Sequence, residues 1–140
     1  MTHKGWHCAY DTHYHIVFPV KYRKALLSDS VAKNIKEISK ELEQRYDLEI
    51  EQVGCDLDHI HLLTSFHPKY AIGDFVRLYK SIVAKQLFLK FPELKKDLWG
   101  GEFWTDGYYV ATVGERGNWS VVEQYVKNQG KHDAGTLKLW

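Results

Sequence analysis

The sequence of 140 residues predicts an α+β fold: a ferredoxin-like antiparallel sheet in the order β-α-β-β-α-β, with an additional C-terminal helix. Three observations carry this. Short runs rich in β-branched and aromatic residues alternate with period two, two long segments repeat their apolar residues with helical period, and the runs fall in that order. The composition suits one soluble domain over 1–140, since 44% of residues are hydrophobic and 26% charged.

Residues 14–20 (Tyr14 to Val20) read as the first strand. From Ser28 to Tyr46 the apolar residues Val31, Ile35, Ile38 and Leu42 share a helix face, and Ser28, Asp29 or Ser30 can act as N-cap. Leu48 to Val53 is a strand, Gly54 to Asp58 a hairpin loop, and His59 to Phe66 the return strand. Ile72 to Phe91 forms a long helix with a stripe at Phe75, Tyr79, Ile82, Val83 and Leu87, interrupted by Gln86 and stopped by Pro92. Residues 95–107 are expected to form an irregular connector holding Trp99 and Trp104, and Tyr108 to Val113 the last strand. After Gly114 and Gly117, Asn118 or Ser120 can cap a helix that runs to about Gln129 and stops at Gly130.

No apolar run reaches the roughly 20 residues of a membrane helix, and the N-terminus lacks the apolar centre of a signal peptide. Cys8 and Cys55 form no Cys-x-x-Cys pair, so a reducing, cytoplasmic setting is expected. A formal net charge of +1 argues against electrostatic wrapping of long duplex. It leaves room for local basic groups at Lys21, Arg23 and Lys24, and at Arg77, Lys80 and Lys85. Taken singly, each group reads as a solvated face; Lys21, Arg23, Lys80 and Lys85 are the candidate DNA contacts. Five Trp and nine Tyr suit a core, with some free to stack on unpaired bases.

The chemistry lies in two short segments. On a strand, His59 and His61 share a face and can grip one cation, with Asp58 beside them. On a helix, Tyr125 and Gln129 are four residues apart and point the same way. Two imidazoles and the Gln129 oxygen leave open positions, which suits Mg²⁺ or Mn²⁺ better than a closed zinc site, although imidazole also suits Zn²⁺. A phenol beside a cation points to phosphoryl transfer with Tyr125 as nucleophile. A bare His-x-His is more often a pair of ordinary strand histidines, and His13-Tyr14-His15 has the same spacing. The combination of a pair with Tyr125 and Gln129 carries the reading. If the hairpin loop spans 54–58, Val53 faces His59 and Glu51 faces His61. No glycine-rich phosphate loop is present, so no nucleotide cofactor is expected.

Asp58-His59-Ile60-His61-Leu62-Leu63, with Glu123-Gln124-Tyr125-Val126-Lys127-Asn128-Gln129, resembles the histidine-hydrophobe-histidine (HUH) single-strand nucleases. The match is to their one-tyrosine branch, the TnpA transposases of bacterial and archaeal insertion sequences. Tyr14 to Phe18 with Lys21-Tyr22-Arg23, then Lys80-Ser81, Trp104 and Tyr109 to Gly114, extend the resemblance along nearly the whole chain, while Leu57 stands where many members have proline. The resemblance implies metal ligation by His59, His61 and Gln129. It implies cleavage of single-stranded DNA beside a hairpin through a 5′-phosphotyrosine at Tyr125, and rejoining without an external energy source. It also implies a homodimer in which the tyrosine helix can serve its own or its neighbour's site. Other readings stay open: a domesticated, repeat-associated relative, a non-catalytic nucleic-acid-binding module, and, more distantly, a metal-dependent hydrolase of small molecules.

Overall fold

The computed structural model describes residues 3–5 and 8–113. Its first element is a small antiparallel hairpin of β1 (His3–Gly5) and β2 (Cys8–Tyr10), which the periodicity did not predict. Strands of three residues are too short to show a period.

The main sheet uses β3 (His13–Pro19), β4 (Leu48–Cys55), β5 (His59–Phe66) and β6 (Tyr109–Val113). Its order is β4-β5-β3-β6, and every neighbouring pair is antiparallel. The helices α1 (Asp29–Arg45) and α2 (Ile72–Lys90) make the two crossovers, each skipping one strand. This is the split βαβ arrangement expected. Ser28 caps α1 by accepting a hydrogen bond from the Val31 amide at 3.4 Å, a contact worth about 1 kcal/mol.

Alternation in the strands divides the sheet into two faces. Ile16 and Phe18 of β3 and Ile60, Leu62 and Phe66 of β5 pack with Ile35 and Leu42 of α1 and with Phe75, Tyr79 and Val83 of α2. Tyr79 is fully buried there. The Ser39 hydroxyl donates to the Ile35 carbonyl at 2.9 Å, which leaves the Tyr79 hydroxyl to donate to Ser39 at 2.9 Å. The other face carries His13, His15 and Val17 on β3, His59, His61 and Leu63 on β5, and Tyr109 on β6.

The hairpin register differs from the expected one. β4 continues to Cys55, so the loop shrinks to Asp56–Asp58 and Gly54 lies opposite His61. A bulge between Ile50 and Gln52 resets the alternation, so that Ile50, Val53 and Cys55 all meet the core. Val53 therefore pairs with Leu62 rather than His59. Glu51 leaves the His61 position and reaches His13 instead, at 2.9 Å.

The connector is better anchored than an irregular reading implies. A one-turn helix α3 (Leu94–Asp97) opens it, and Leu94, Leu98, Phe103 and Trp104 are buried. The Lys80 ammonium pins its far end by donating to the carbonyls of Thr105 at 2.8 Å and Gly107 at 2.7 Å. Both Cys8 and Cys55 are free. No helix among the described residues is long and apolar enough to cross a membrane. The expected C-terminal helix, with Tyr125 and Gln129, lies outside the described residues.

Candidate active site

His59 and His61 sit side by side on β5 with their ring centroids 4.6 Å apart. They are only 2% and 1% exposed, so the face that holds them is not bare at this point. The His59 Nδ1 lies 2.7 Å from Asp58 Oδ1. An ionised carboxylate can only accept, so this contact places the His59 proton on Nδ1 and leaves a lone pair on Nε2. Asp58 is itself held, because Arg23 Nε donates to its second oxygen at 3.2 Å. Backbone contacts lock the loop and the basic turn together: Val20 N donates to Asp58 O and Leu27 N to Leu57 O, each at 2.9 Å.

His59 Nε2 and both nitrogens of His61 are buried without a hydrogen-bond partner among the described residues. A buried polar atom left unpaired costs about 1–3 kcal/mol. Burial, reinforced by His59 and His15, pushes the His61 pKa down to about 3. Its ring is neutral at ordinary pH and so able to bind a cation through a nitrogen lone pair. These groups fit a divalent cation: two imidazoles, one with its ring orientation fixed by a carboxylate, each with an orphaned nitrogen that a metal would satisfy. Asp56, Asp58 and His59 also approach one another within 4.8 Å, but through Nδ1, the nitrogen that Asp58 already engages.

The rival pair divides. His13 is held between two carboxylates, Asp11 at 2.8 Å and Glu51 at 2.9 Å. Asp11 stands two residues before it in the sequence, but Glu51 was not visible as a partner, since it reaches His13 only across the sheet. His15 joins the candidate site: its ring lies 6.0 Å from that of His61, nearly parallel, and 6.0 Å from that of Tyr109. Burial pushes the His15 pKa down to about 4, so its imidazole and that of His61 are both neutral on this face.

The basic residues take different positions. Arg23 contacts Asp58, and Lys21 sits with it on the turn Lys21–Arg23, over the Tyr22 ring at 5.8 Å. Lys80 lines an open cleft of about 610 Å³ between α2 and the connector, with its ammonium engaged by two carbonyls. Lys85 is exposed on α2 near Phe88 and Lys95. Sequence reasoning missed two participants, His15 and the Arg23–Asp58 link, because both depend on strand pairing.

The fold has a known counterpart. Residues 8–129 match the family of IS200-like transposases, and the chain belongs to that family. It is similar to the ISDra2 transposase TnpA of Deinococcus radiodurans, at 36% identity over 93% of this chain and 91% of that protein. The transposase of the IS200 element of Salmonella typhimurium is 32% identical over 95% of this chain and 84% of its own length. Among solved structures, a transposase crystal structure from Deinococcus radiodurans R1 superposes with a TM-score of 0.72 at 36% identity, covering 90% of this chain and 96% of that one. A REP-associated tyrosine transposase bound to a REP hairpin shares the fold, with a TM-score of 0.59 at 9% identity over 90% of this chain and 72% of its own.

Proposed function

We propose that this transposase is metal-dependent and cuts and rejoins single-stranded DNA at insertion-sequence ends through a 5′-phosphotyrosine intermediate. The observation that carries the reading is the buried pair His59 and His61, with orphaned nitrogens and with Asp58 fixing the tautomer of His59. Mg²⁺ or Mn²⁺, held by His59, His61 and Gln129, would polarise a phosphoryl oxygen of the scissile phosphate.

Tyr125 supplies the nucleophile. Its phenolic oxygen gives up its proton and bonds to phosphorus, and the bond from phosphorus to the 3′ oxygen breaks. The departing oxygen takes a proton and becomes a free 3′-hydroxyl. Because the phosphotyrosine keeps the energy of the broken bond, a second 3′-hydroxyl can reverse the step and join a new strand. Asp58 and Arg23 keep the His59 ring oriented throughout. A hairpin with unpaired flanks is the expected substrate and a homodimer the working form, and β4 and β6 are the edge strands of the sheet among the described residues. Identity above 30% to insertion-sequence transposases favours a mobile element over a repeat-associated relative.

The test is incubation of the chain with single-stranded DNA of the element ends and Mn²⁺. The expected product is a covalent protein–DNA band that Tyr125→Phe abolishes while hairpin binding persists. An adduct that survives in Tyr125→Phe overturns the assignment and turns attention to Tyr109, which lies beside His15.

A further inference from the structure

Three non-glycine residues among those described have left-handed backbone: Tyr22 at φ 61°, Arg23 at φ 54° and Trp99 at φ 52°. Such a conformation is strained for a residue with a bulky side chain and collects at functional sites. Arg23 is accounted for by Asp58. The other two touch each other. The Tyr22 and Trp99 rings meet edge to face with centroids 5.3 Å apart, although 77 positions separate them in sequence.

Neither ring is used as core. Tyr22 is 61% exposed and Trp99 is 72% exposed. Trp99 stands just after α3, with its amide bonded to Lys96 O and the next amide, of Gly100, bonded back to Lys95 O. That position ends a helix in left-handed backbone and is usually filled by glycine. Here a tryptophan occupies it, and glycine follows only at the next residue. Cations lie over both rings: the Lys24 ammonium is 4.6 Å from the Trp99 centroid and that of Lys21 is 5.8 Å from the Tyr22 centroid. The pair is joined to the histidine site through one residue, since Tyr22 precedes Arg23 and Arg23 holds Asp58.

We infer that Tyr22 and Trp99 form a stacking platform for an unpaired base of the single-stranded DNA, with Lys21 and Lys24 receiving its phosphates. A base can take the place of the lysine over an exposed ring, and the ammonium group it displaces then complements the backbone charge. The turn that presents Tyr22 also orients the metal-binding histidine. A base stacked there fixes the strand relative to the scissile phosphate. The identity of the ligand rests on the proposed function; the platform itself rests on the exposed, strained aromatic pair.

The test uses the full chain with EDTA present, a labelled short oligothymidylate, and an abasic strand of equal charge. Two variants suit the backbone while removing the rings: Trp99→Gly and Tyr22→Asn. Each is expected to keep the melting temperature of the parent or raise it, and to weaken oligothymidylate binding by roughly 5- to 150-fold, the range that base–aromatic stacking gives on ring removal. Trp99→Phe should retain most of the affinity, and the abasic strand should bind parent and variants alike. Unchanged oligothymidylate affinity in both variants overturns the platform, as does an equal loss on the abasic strand. The two proposals fail separately: a parent that forms no adduct with hairpin DNA and Mn²⁺ defeats the proposed function, whereas normal adduct formation with ring-independent binding defeats only the platform.

Discussion

Arg23 and Asp58, 35 positions apart in sequence, are joined by a hydrogen bond of 3.2 Å from Nε to Oδ2, and the other Asp58 oxygen holds His59 Nδ1 at 2.7 Å. Basic turn, carboxylate and imidazole thus form one line of contacts. Arg23 therefore positions the candidate site as well as contributing positive charge near it.

Asp58→Asn should weaken Mn²⁺ binding about 10- to 100-fold, the usual effect of removing the partner of a metal-ligating imidazole. Arg23→Gln should act in the same direction with a smaller loss. Calorimetric titration measures both, and parental affinity in Asp58→Asn would refute the relay. A charge reversal at Arg23 will accordingly disturb metal binding as well as DNA binding, so near this turn Lys21 and Lys24 are the residues that report on phosphate contacts alone.

His59→Ala and His61→Ala should each abolish Mn²⁺-dependent cleavage, while His13→Ala leaves it intact. His13 is committed to Asp11 and Glu51, whereas His59 Nε2 and the His61 nitrogens have no partner among the described residues. Metal titration of the three variants decides it; unchanged binding in both His59→Ala and His61→Ala would sink the assignment.

The contribution of His13 to stability should depend on pH. Burial pulls its pKa down, but hydrogen bonds to Glu51 and Asp11 outweigh this and leave it above the ordinary 6.5. A raised folded-state value means stability that is full below the unfolded value and is lost as pH rises through the folded one. Comparing melting temperatures of the parent and His13→Ala should show a larger gap at about pH 6 than at about pH 9, with the carboxylates ionised at both. An equal gap at the two values would rule out charge as its source.

Mixing Tyr125→Phe with His61→Ala protomers tests how the site is shared. If the tyrosine helix is exchanged within a dimer, the mixture regains one intact site and forms an adduct. If Tyr125 serves its own subunit, every site lacks an essential group and the mixture stays inactive. A monomer in light scattering that still cleaves would exclude an obligate dimer.

The long elements were legible because they repeat. Val31, Ile35, Ile38 and Leu42 mark α1, and all four are buried. The histidine pair was legible because two residues apart on a strand is a local relation. Relations across the sheet were not. Extension of β4 to Cys55 put Gly54 opposite His61, so Glu51 no longer faces that position and reaches His13 instead, and no local pattern announces the length of the loop. His15 reaches His61 only through the pairing of β3 with β5. Lys80 showed its charge in the sequence, but not that two carbonyls would hold its ammonium.

β5 is an inner strand, hydrogen-bonded to β3 on one side and β4 on the other along most of its length. Amides in such a strand exchange with solvent chiefly when the whole domain opens, while edges and loops exchange through small local fluctuations. The imidazole pair thus rides on one of the two inner strands, where exchange among the described residues is expected to be slow. The relative placement of the two histidines there persists through local breathing that admits or releases a DNA strand, and it is lost only when the sheet opens.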